Sequence, residues 1–219
     1  MTLRDESALD HVVVCERHQV YHGAIFDIYH DEIRFASGDT AVRQWMDHDD
    51  AVAIVALRPV TLPGGHAQRD ERDPSMWEIL LIRQYRHAPQ RIMWEIPAGL
   101  QDIAGEHPVC TAARELAEET SYRAARWYRS VAFVTSPGCS NEDLQVYLAF
   151  DVEPCEVSFV RESEEAEMTQ QWVNLAQVLE AVMAADLRSP TLVAGVLAAS
   201  IALQRGLAGC VDVTGELDG

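Results

Sequence analysis

The stretch that most constrains this chain is GLQDIAGEHPVCTAARELAEETSY, residues 99–122. Its periodicity predicts a helix from Pro108, a favoured first-turn residue, to Thr120. One side of that helix is apolar, formed by Val109, Ala112, Ala113, Leu116 and Ala117. At 3.6 residues per turn, three glutamates share a face turned away from this stripe: Glu115, Glu118 and Glu119. The helix is therefore expected to pack on a core with one side and to present carboxylates on the other.

Such an acidic face needs a partner charge. Glu115 and Glu119 are four residues apart and repel each other unless something positive lies between them. A hard divalent cation with oxygen ligands fits, and magnesium is commonly held by one or two carboxylates while it bridges to substrate phosphates. The alternative is a solvated acidic helix face.

The flanking residues favour a metal site over a solvated acidic face, because the whole stretch, residues 99–122, resembles the Nudix box. That pattern is G, five residues, E, seven residues, then R-E-U-x-E-E-x-G-U, with U apolar or aromatic. The matching positions are Gly99, Glu106, Arg114, Glu115, Leu116, Glu118, Glu119 and Tyr122. Two departures occur: six residues separate Gly99 from Glu106, and Ser121 stands at the second glycine. A serine in the left-handed conformation there costs on the order of 1 kcal/mol.

Composition agrees with a compact enzyme. The 219 residues are 48% hydrophobic, and no linker-like segment divides them. A net charge of −18 disfavours nucleic acids and anionic membranes as partners. The five cysteines show no CxxC spacing, no signal peptide is visible, and the most apolar run is too short to span a bilayer. The cytoplasm is the expected location.

The periodicity predicts an α/β (α+β) fold with three regions. Residues 1–48 form an N-terminal antiparallel β-sheet, with strands at 11–20, 23–35 and 42–48. Residues 49–206 form the main domain, with strands at 51–57, 77–85, 131–135 and 144–150 and later helices at 175–185 and 190–204. Residues 207–219 are expected to be a flexible tail. The polar loop 59–75 is either a lid or an inert insertion.

Further motifs point to one branch of the Nudix family. WEIPAG occupies residues 94–99, QYRH residues 84–87, and Pro137 follows the end of the box by fifteen residues. This combination looks like the ADP-ribose pyrophosphatases and is similar to those of actinobacteria. The resemblance implies a Nudix fold, with mixed β-sheets sandwiched between helices, and hydrolysis of ADP-ribose to AMP and ribose 5-phosphate.

The resemblance also implies roles for the matched residues. Glu115 and Glu119 would ligate Mg²⁺, or Mn²⁺ or another divalent cation, with Glu118 close by and the backbone carbonyl of Ala98 as a further ligand. Arg114 would orient the glutamates through charge-assisted hydrogen bonds. Glu118, Glu119 and Arg114 thus count as candidate catalytic residues as well. Glu106 would hold the preceding loop against the helix.

The expected substrate contacts lie outside the box. Arg86 would contact the phosphates, with a strand-end salt bridge as its alternative role, and Glu95 the adenosine part. Phe26, with Ile25 and Tyr29, is a candidate for stacking on the base or for the core, and Pro137 is the substrate marker. In this branch the N-terminal strands exchange between two subunits, so a homodimer is expected.

The general base is the least determined of the site residues. The acidic segment RESEEAEM, residues 161–168, matches a loop that supplies a catalytic glutamate in this branch. Glu165 is the best positional match and Glu164 the second, with a solvated charge run as the alternative. No histidine follows His107, so a base of that type from the rear half is excluded.

Two other functions stay open. The chain could prefer another nucleoside diphosphate sugar or an oxidised nucleotide, since the box does not specify the base. It could also be a non-catalytic nucleotide-binding sensor with the same fold. The intact acidic box argues against the sensor.

Overall fold

The computed structural model describes residues 3–7, 11–61, 70–156 and 167–218. The chain divides into two compact units. One comprises Met1–Asp49 and Val134–Asp143, and the other comprises Asp50–Phe133 and Leu144–Gly219.

The first unit is built on a three-stranded antiparallel meander of β1 (Val12–His22), β2 (Phe26–Phe35) and β3 (Thr40–His48). Tyr29 and Trp45 face each other across β2 and β3, and their rings stack with centroids 5.2 Å apart. Asp31 is buried beside them and accepts hydrogen bonds from Arg17 and from the indole of Trp45. Cross-strand aromatic and ionic pairs of this kind stabilise a sheet that has little apolar core of its own.

Within its described residues, the second unit contains a mixed sheet and three α-helices. Its strands are β4 (Ala51–Pro59), β5 (Trp77–Arg86), β6 (Arg91–Glu95), β7 (Ala98–Leu100), β8 (Tyr122–Val134), β9 (Asp143–Pro154), β10 (Thr169–Asn174) and β11 (Val211–Asp212). The sheet order is β10-β5-β4-β9-β8-β11, with β6 paired to β5 and β7 to β4. The helices are α1 (Pro108–Thr120), α2 (Leu175–Met183) and α3 (Pro190–Gln204). None of the described helices is long and apolar enough to cross a membrane.

Strand β4 lies at the centre of this unit because its run AVAIVAL can be buried on both faces. It pairs in parallel with β9 and in antiparallel fashion with β5 and β7. Ala53, Val55 and Leu57 pack towards α2 and α3, while Val52 and Ile54 pack towards α1. The sheet is therefore covered by helices on both sides, and the expected fold class is confirmed.

Helix α3 approaches the sheet closely at Gly195. A Cβ at this position would lie 2.9 Å from side-chain atoms of Val55 and Ile96. The small residue therefore allows the helix to pack close to β4, and seven of its fifteen residues are buried.

Several elements differ from the sequence expectation. The short strands β6 and β7, the strand β10, and most of β8 were not predicted, because their pattern is obscured by charged residues or by short length. Residues after Gly206 were expected to be a flexible tail, but β11 pairs with β8 and Val213 is buried in the core. Of the loop 59–75, residues 62–69 lie outside the described part, and Pro74–Met76 form a 3₁₀ turn capped by Asp73.

Candidate active site

Helix α1 has the bounds that its periodicity predicted. Pro108 occupies the first turn, and Val109, Ala112 and Leu116 are buried against the sheet. The helix ends at Ser121, whose φ of 58° lies in the left-handed region and whose amide donates to the carbonyl of Ala117 at 2.8 Å. Serine therefore adopts the helix-ending conformation that glycine favours, and the glutamates keep their register.

Arg114 is the centre of the acidic face. Its Nη1 donates to Glu115 at 2.7 Å and to Glu118 at 3.1 Å, and its Nη2 donates to Glu106 at 3.3 Å. Thr111 also donates to Glu106, at 2.8 Å. A planar guanidinium with five donors can satisfy several carboxylates at once, so Arg114 holds the helix acids and the preceding loop together.

The charges of this group influence one another. Burial raises the pKa of Glu115, although the neighbouring Arg114 opposes that shift. Burial would likewise raise the pKa of Glu106, but hydrogen bonds from Thr111 and Arg114 bring it below its ordinary value. For Arg114, burial alone would lower the pKa, yet Glu106 and Glu115 raise it, so the guanidinium stays charged. The cluster is thus a set of carboxylates held by one permanent cation.

Two contacts fix α1 against β7. The backbone N–H of Ala98 donates to Glu119 at 3.0 Å. At the next residue, Gly99, a Cβ would lie 2.1 Å from Cδ of Glu115, so only glycine lets this side chain approach the strand. The glutamates four residues apart are thereby held at one edge of β7, beside the backbone of Ala98.

The donor set fits a hard divalent cation. Glu115, Glu118 and Glu119 supply carboxylate oxygens from one helix face, which is the ligand chemistry that Mg²⁺ prefers. Within the described ranges no group of three His, Cys, Asp or Glu side chains is already gathered around a common metal position. Arg114 instead engages two of the three glutamates here. These three residues, with the backbone at Ala98, are the ones that could hold the metal.

Arg86 and Glu95 form an ion pair at the end of the β5–β6 hairpin. Arg86 Nη2 lies 2.7 Å from Oε2 of Glu95, and its Nε lies 3.1 Å from Oε1. Gln84 donates to the same carboxylate at 3.1 Å. Glu95 is buried, whereas the Arg86 side chain is 46% exposed. The structure thus brings these two predicted substrate residues together and shows the salt bridge that was the alternative role for Arg86.

A cavity of about 610 Å³ opens beside this ion pair. Besides Arg86 and Glu95, its walls include Arg91, Met93, Arg188 and Pro190. None of these four was predicted from the sequence as a site residue. Arg91 is directly opposite Arg86 in the hairpin, a placement that becomes visible only once the strand register is known.

The remaining predicted site residues are located as follows. Phe26 and Pro137 belong to the first unit, and the ring of Phe26 lies 5.9 Å from that of Tyr21. Arg114, Glu115, Glu118, Glu119, Ala98, Arg86 and Glu95 belong to the second unit. Glu164 and Glu165, the candidates for the general base, lie outside the described residues.

Comparison with known proteins identifies the class that this fold and acidic helix define. The model of the NUDIX domain matches residues 67–192, more than half of the chain, so the chain belongs to the Nudix hydrolase family. The resemblance drawn from residues 99–122 is confirmed.

Individual relatives narrow the comparison. The chain is 38% identical over 180 residues to the ADP-ribose pyrophosphatase of Mycobacterium tuberculosis (strain ATCC 25618 / H37Rv), covering 82% of this chain and 78% of that protein. It is 32% identical to the ADP-ribose pyrophosphatase of Bacillus subtilis (strain 168), covering 70% and 73% respectively. A solved structure described as an ADP compounds hydrolase superposes with a TM-score of 0.71 over 93% of this chain and 100% of its own, at 18% identity, which supports the fold.

Proposed function

We propose that this Nudix hydrolase cleaves the pyrophosphate bond of ADP-ribose to give AMP and ribose 5-phosphate, with Mg²⁺ as cofactor. The observation that carries the proposal is the face of α1, where Arg114 organises Glu115 and Glu118 while Glu119 is held on the amide of Ala98. The similarity to ADP-ribose pyrophosphatases over most of the chain supports this substrate.

Pyrophosphates resist hydrolysis because their anionic oxygens repel an attacking nucleophile. Bound divalent cations would neutralise those oxygens, lower the pKa of a bound water and stabilise the leaving phosphate. The residues of the chain then have distinct tasks. Glu115, Glu118 and Glu119 would hold the cations, and Arg114 would keep the carboxylates in place.

The reaction needs one water and one proton acceptor. The water oxygen bonds to one phosphorus, the bridging oxygen leaves with the other, and a glutamate takes up the proton of the water. Glu165 is the proposed base, with Glu164 as the second candidate, on the positional match of the segment 161–168. AMP and ribose 5-phosphate account for all atoms of ADP-ribose and water.

Substrate specificity follows from contacts beyond the metal. Arg86 is suited to the phosphates because a guanidinium can form paired hydrogen bonds to phosphate oxygens. Glu95 can accept a hydrogen bond from a donor group of the adenosine part. Its ion pair with Arg86 holds both side chains in position before the substrate binds. Phe26 is proposed to stack on the base, and Pro137 to help form the substrate site.

The substrate is tested by comparing turnover. The wild-type protein with Mg²⁺ is given ADP-ribose, GDP-mannose and 8-oxo-dGTP at equal concentrations, and the released products are quantified by chromatography. We expect ADP-ribose to have the highest kcat/KM. A higher value for another substrate would contradict the assignment and favour a different nucleoside diphosphate sugar or an oxidised nucleotide. Binding of ADP-ribose without turnover of any of the three would favour the sensor.

The quaternary structure proposed is a homodimer formed through the N-terminal β region, residues 1–48. Strand β1 supports this, because it exposes four large apolar side chains: Val13, Val14, Val20 and Tyr21. An edge strand that exposes apolar side chains is a favourable site for association. Size-exclusion chromatography with light scattering at micromolar concentration should give about twice the chain mass, and the mass of a single chain would contradict the proposal.

A cytoplasmic location is proposed as well. All five cysteines are free thiols, which suits a reducing compartment. The expected partners are the small-molecule substrate and the second subunit, because the net charge of −18 opposes nucleic acids and anionic membranes.

A further inference from the structure

We infer that Arg91 and Arg188 are additional substrate-binding residues, which contact the diphosphate of the substrate from the cavity beside Glu95. This inference rests on the proposed function and extends it to residues outside the Nudix box. Its basis is the placement of positive charge in the cavity of about 610 Å³ at the end of the β5–β6 hairpin.

The first observation is a pair of like charges in that hairpin. Arg86 and Arg91 are directly opposite each other across β5 and β6, flanking a tight turn in which the amide of Gln90 donates to the carbonyl of His87. Like charges at directly opposed positions destabilise a sheet. Glu95 forms an ion pair with Arg86, but within the described ranges Arg91 has no ion pair with a carboxylate. The repulsion would be relieved by an anion bound at the hairpin.

A second guanidinium reaches the cavity from another part of the chain. Arg188 lies in the connection between α2 and α3, next to Ser189, the buried N-cap residue of α3. Its Nε donates to the carbonyl of Ala185 at 3.0 Å, which orients the guanidinium. In the portion of the chain that the structure describes, Arg188 makes no ion pair with a carboxylate either. Its terminal nitrogens can therefore serve a ligand.

The charge balance of the cavity is unusual for this protein. Three arginines line the cavity, Arg86, Arg91 and Arg188, and the one acidic residue among its lining residues is Glu95. The whole chain carries a net charge of −18 and contains no lysine, so all its 17 basic residues are arginines. Arginine is the side chain best shaped for paired hydrogen bonds to phosphate. A local excess of arginine in so acidic a chain favours an anionic ligand.

The cavity also has the right size and neighbours. Its volume lies in the range of small-molecule and cofactor sites. Glu95 comes three residues before Ala98, whose amide donates to Glu119, so the chain places the Cα atoms of Glu95 and Ala98 no more than about 11 Å apart. A diphosphate that spans this distance would meet cations held by the glutamates at one end and the arginines at the other. Met93 and Pro190 add apolar surface for the uncharged parts of the substrate.

The test measures binding without hydrolysis. Isothermal titration calorimetry with ADP-ribose in EDTA isolates the arginines from any metal, for wild type, Arg91→Ala, Arg188→Ala and the control Arg205→Ala at the far end of α3. Loss of a charge-assisted hydrogen bond from the site should raise Kd by about tenfold or more in Arg91→Ala and in Arg188→Ala. We expect the control to stay within about twofold of wild type. Wild-type affinity in both Arg91→Ala and Arg188→Ala would overturn the inference.

Two further measurements separate ligand binding from folding. Arg188→Lys keeps the charge and should restore part of the lost affinity, and raising the salt concentration should weaken wild-type binding more than that of Arg188→Ala. If the affinity loss of Arg188→Ala is instead independent of salt and accompanied by a large drop in Tm, the residue is structural and the inference fails for it. Arg91, on a different element, is then judged by its own titration.

The inference can fail separately from the proposed function. If wild type hydrolyses ADP-ribose and both alanine variants keep its KM, the function stands and the inference is wrong. If wild type binds but does not hydrolyse ADP-ribose, and binding depends on both arginines, the function is wrong and the inference stands.

Discussion

At Gly99, the addition of a single methyl group is expected to disrupt the acidic site on α1. A Cβ there would overlap the carboxyl group of Glu115, so Gly99→Ala must displace that side chain from β7. Displacement of a catalytic group by about 1 Å can cost about a hundredfold in rate, and we expect a loss in kcat of that order. Steady-state kinetics with ADP-ribose would measure it. Gly215→Ala, where a Cβ meets nothing within 4 Å, is the matched control. A wild-type kcat in Gly99→Ala would show that activity does not depend on the close approach of Glu115 to β7.

At Ser121 we expect a substitution to increase stability. Its left-handed φ of 58° is unfavourable for a side chain with a Cβ. Glycine at this position removes that strain, which costs about 1 to 2 kcal/mol. It also loses more backbone entropy on folding, which offsets about 0.5 to 1 kcal/mol. Ser121→Gly should therefore raise the free energy of unfolding by about 0.5 to 1 kcal/mol. Urea denaturation of the two proteins tests this. Ser130→Gly, within strand β8, should be destabilising instead, and an unchanged midpoint for Ser121→Gly would refute the account of the helix end.

Among the elements, the three-stranded sheet of the first unit depends on an ionic contact. Hydrogen bonding with Arg17, aided by Trp45, holds the pKa of Asp31 below its ordinary value. A carboxyl whose pKa is depressed by folding stabilises the protein above its unfolded pKa of about 4, and that stabilisation is lost as the pH falls through the folded pKa.

Asp31→Asn should therefore be destabilising near pH 7, by about 2 kcal/mol, since a buried charged hydrogen bond is lost. The difference from wild type should shrink as the pH falls below about 4. Thermal unfolding of wild type and Asp31→Asn at pH 7 and at a pH below about 4 measures this difference. Glu32→Gln, a substitution at an exposed neighbouring residue, is the control. A difference that is the same at both pH values would mean that the contribution of Asp31 is not ionic.

The elements also differ in how far the sequence predicts them. The position of helix α1 was predicted, with a start near Pro108 and an end near Thr120, because a 3.6-residue apolar period, a first-turn proline and an acidic face all indicate the same segment. Strand β4 was predicted because seven consecutive apolar residues suit burial on both faces. Strands β6 and β7 have five and three residues and depend on partners distant in the chain, so no local pattern reveals them. The ends of an exposed strand such as β8 are likewise set by pairing.

For the whole molecule, the sequence indicated the acidic face of α1, the proposed metal site, more fully than the arginine-lined cavity proposed to bind the substrate. The residues Arg114, Glu115, Glu118 and Glu119 lie within two turns of one helix, so their spacing alone brings them together. Arg86, Arg91 and Arg188 come from two separate parts of the chain, and their convergence on one cavity depends on the β5–β6 register and the α2–α3 connection. Glu164 and Glu165 lie outside the described residues, and their role remains a proposal from position.

The most direct test of the central claim is the magnesium-dependent release of AMP from ADP-ribose by wild type, Glu119→Gln and Glu180→Gln. Glu119 is held on the amide of Ala98 at the proposed metal site, whereas Glu180 is an exposed residue of α2 that serves as the matched control. We predict that wild type and Glu180→Gln turn over at equal rates, which fall to background in EDTA. Glu119→Gln should lose about a hundredfold or more in kcat while keeping the wild-type Tm. Equal kcat for Glu119→Gln and wild type, or turnover that persists in EDTA, would contradict the assignment of the α1 face as the metal site.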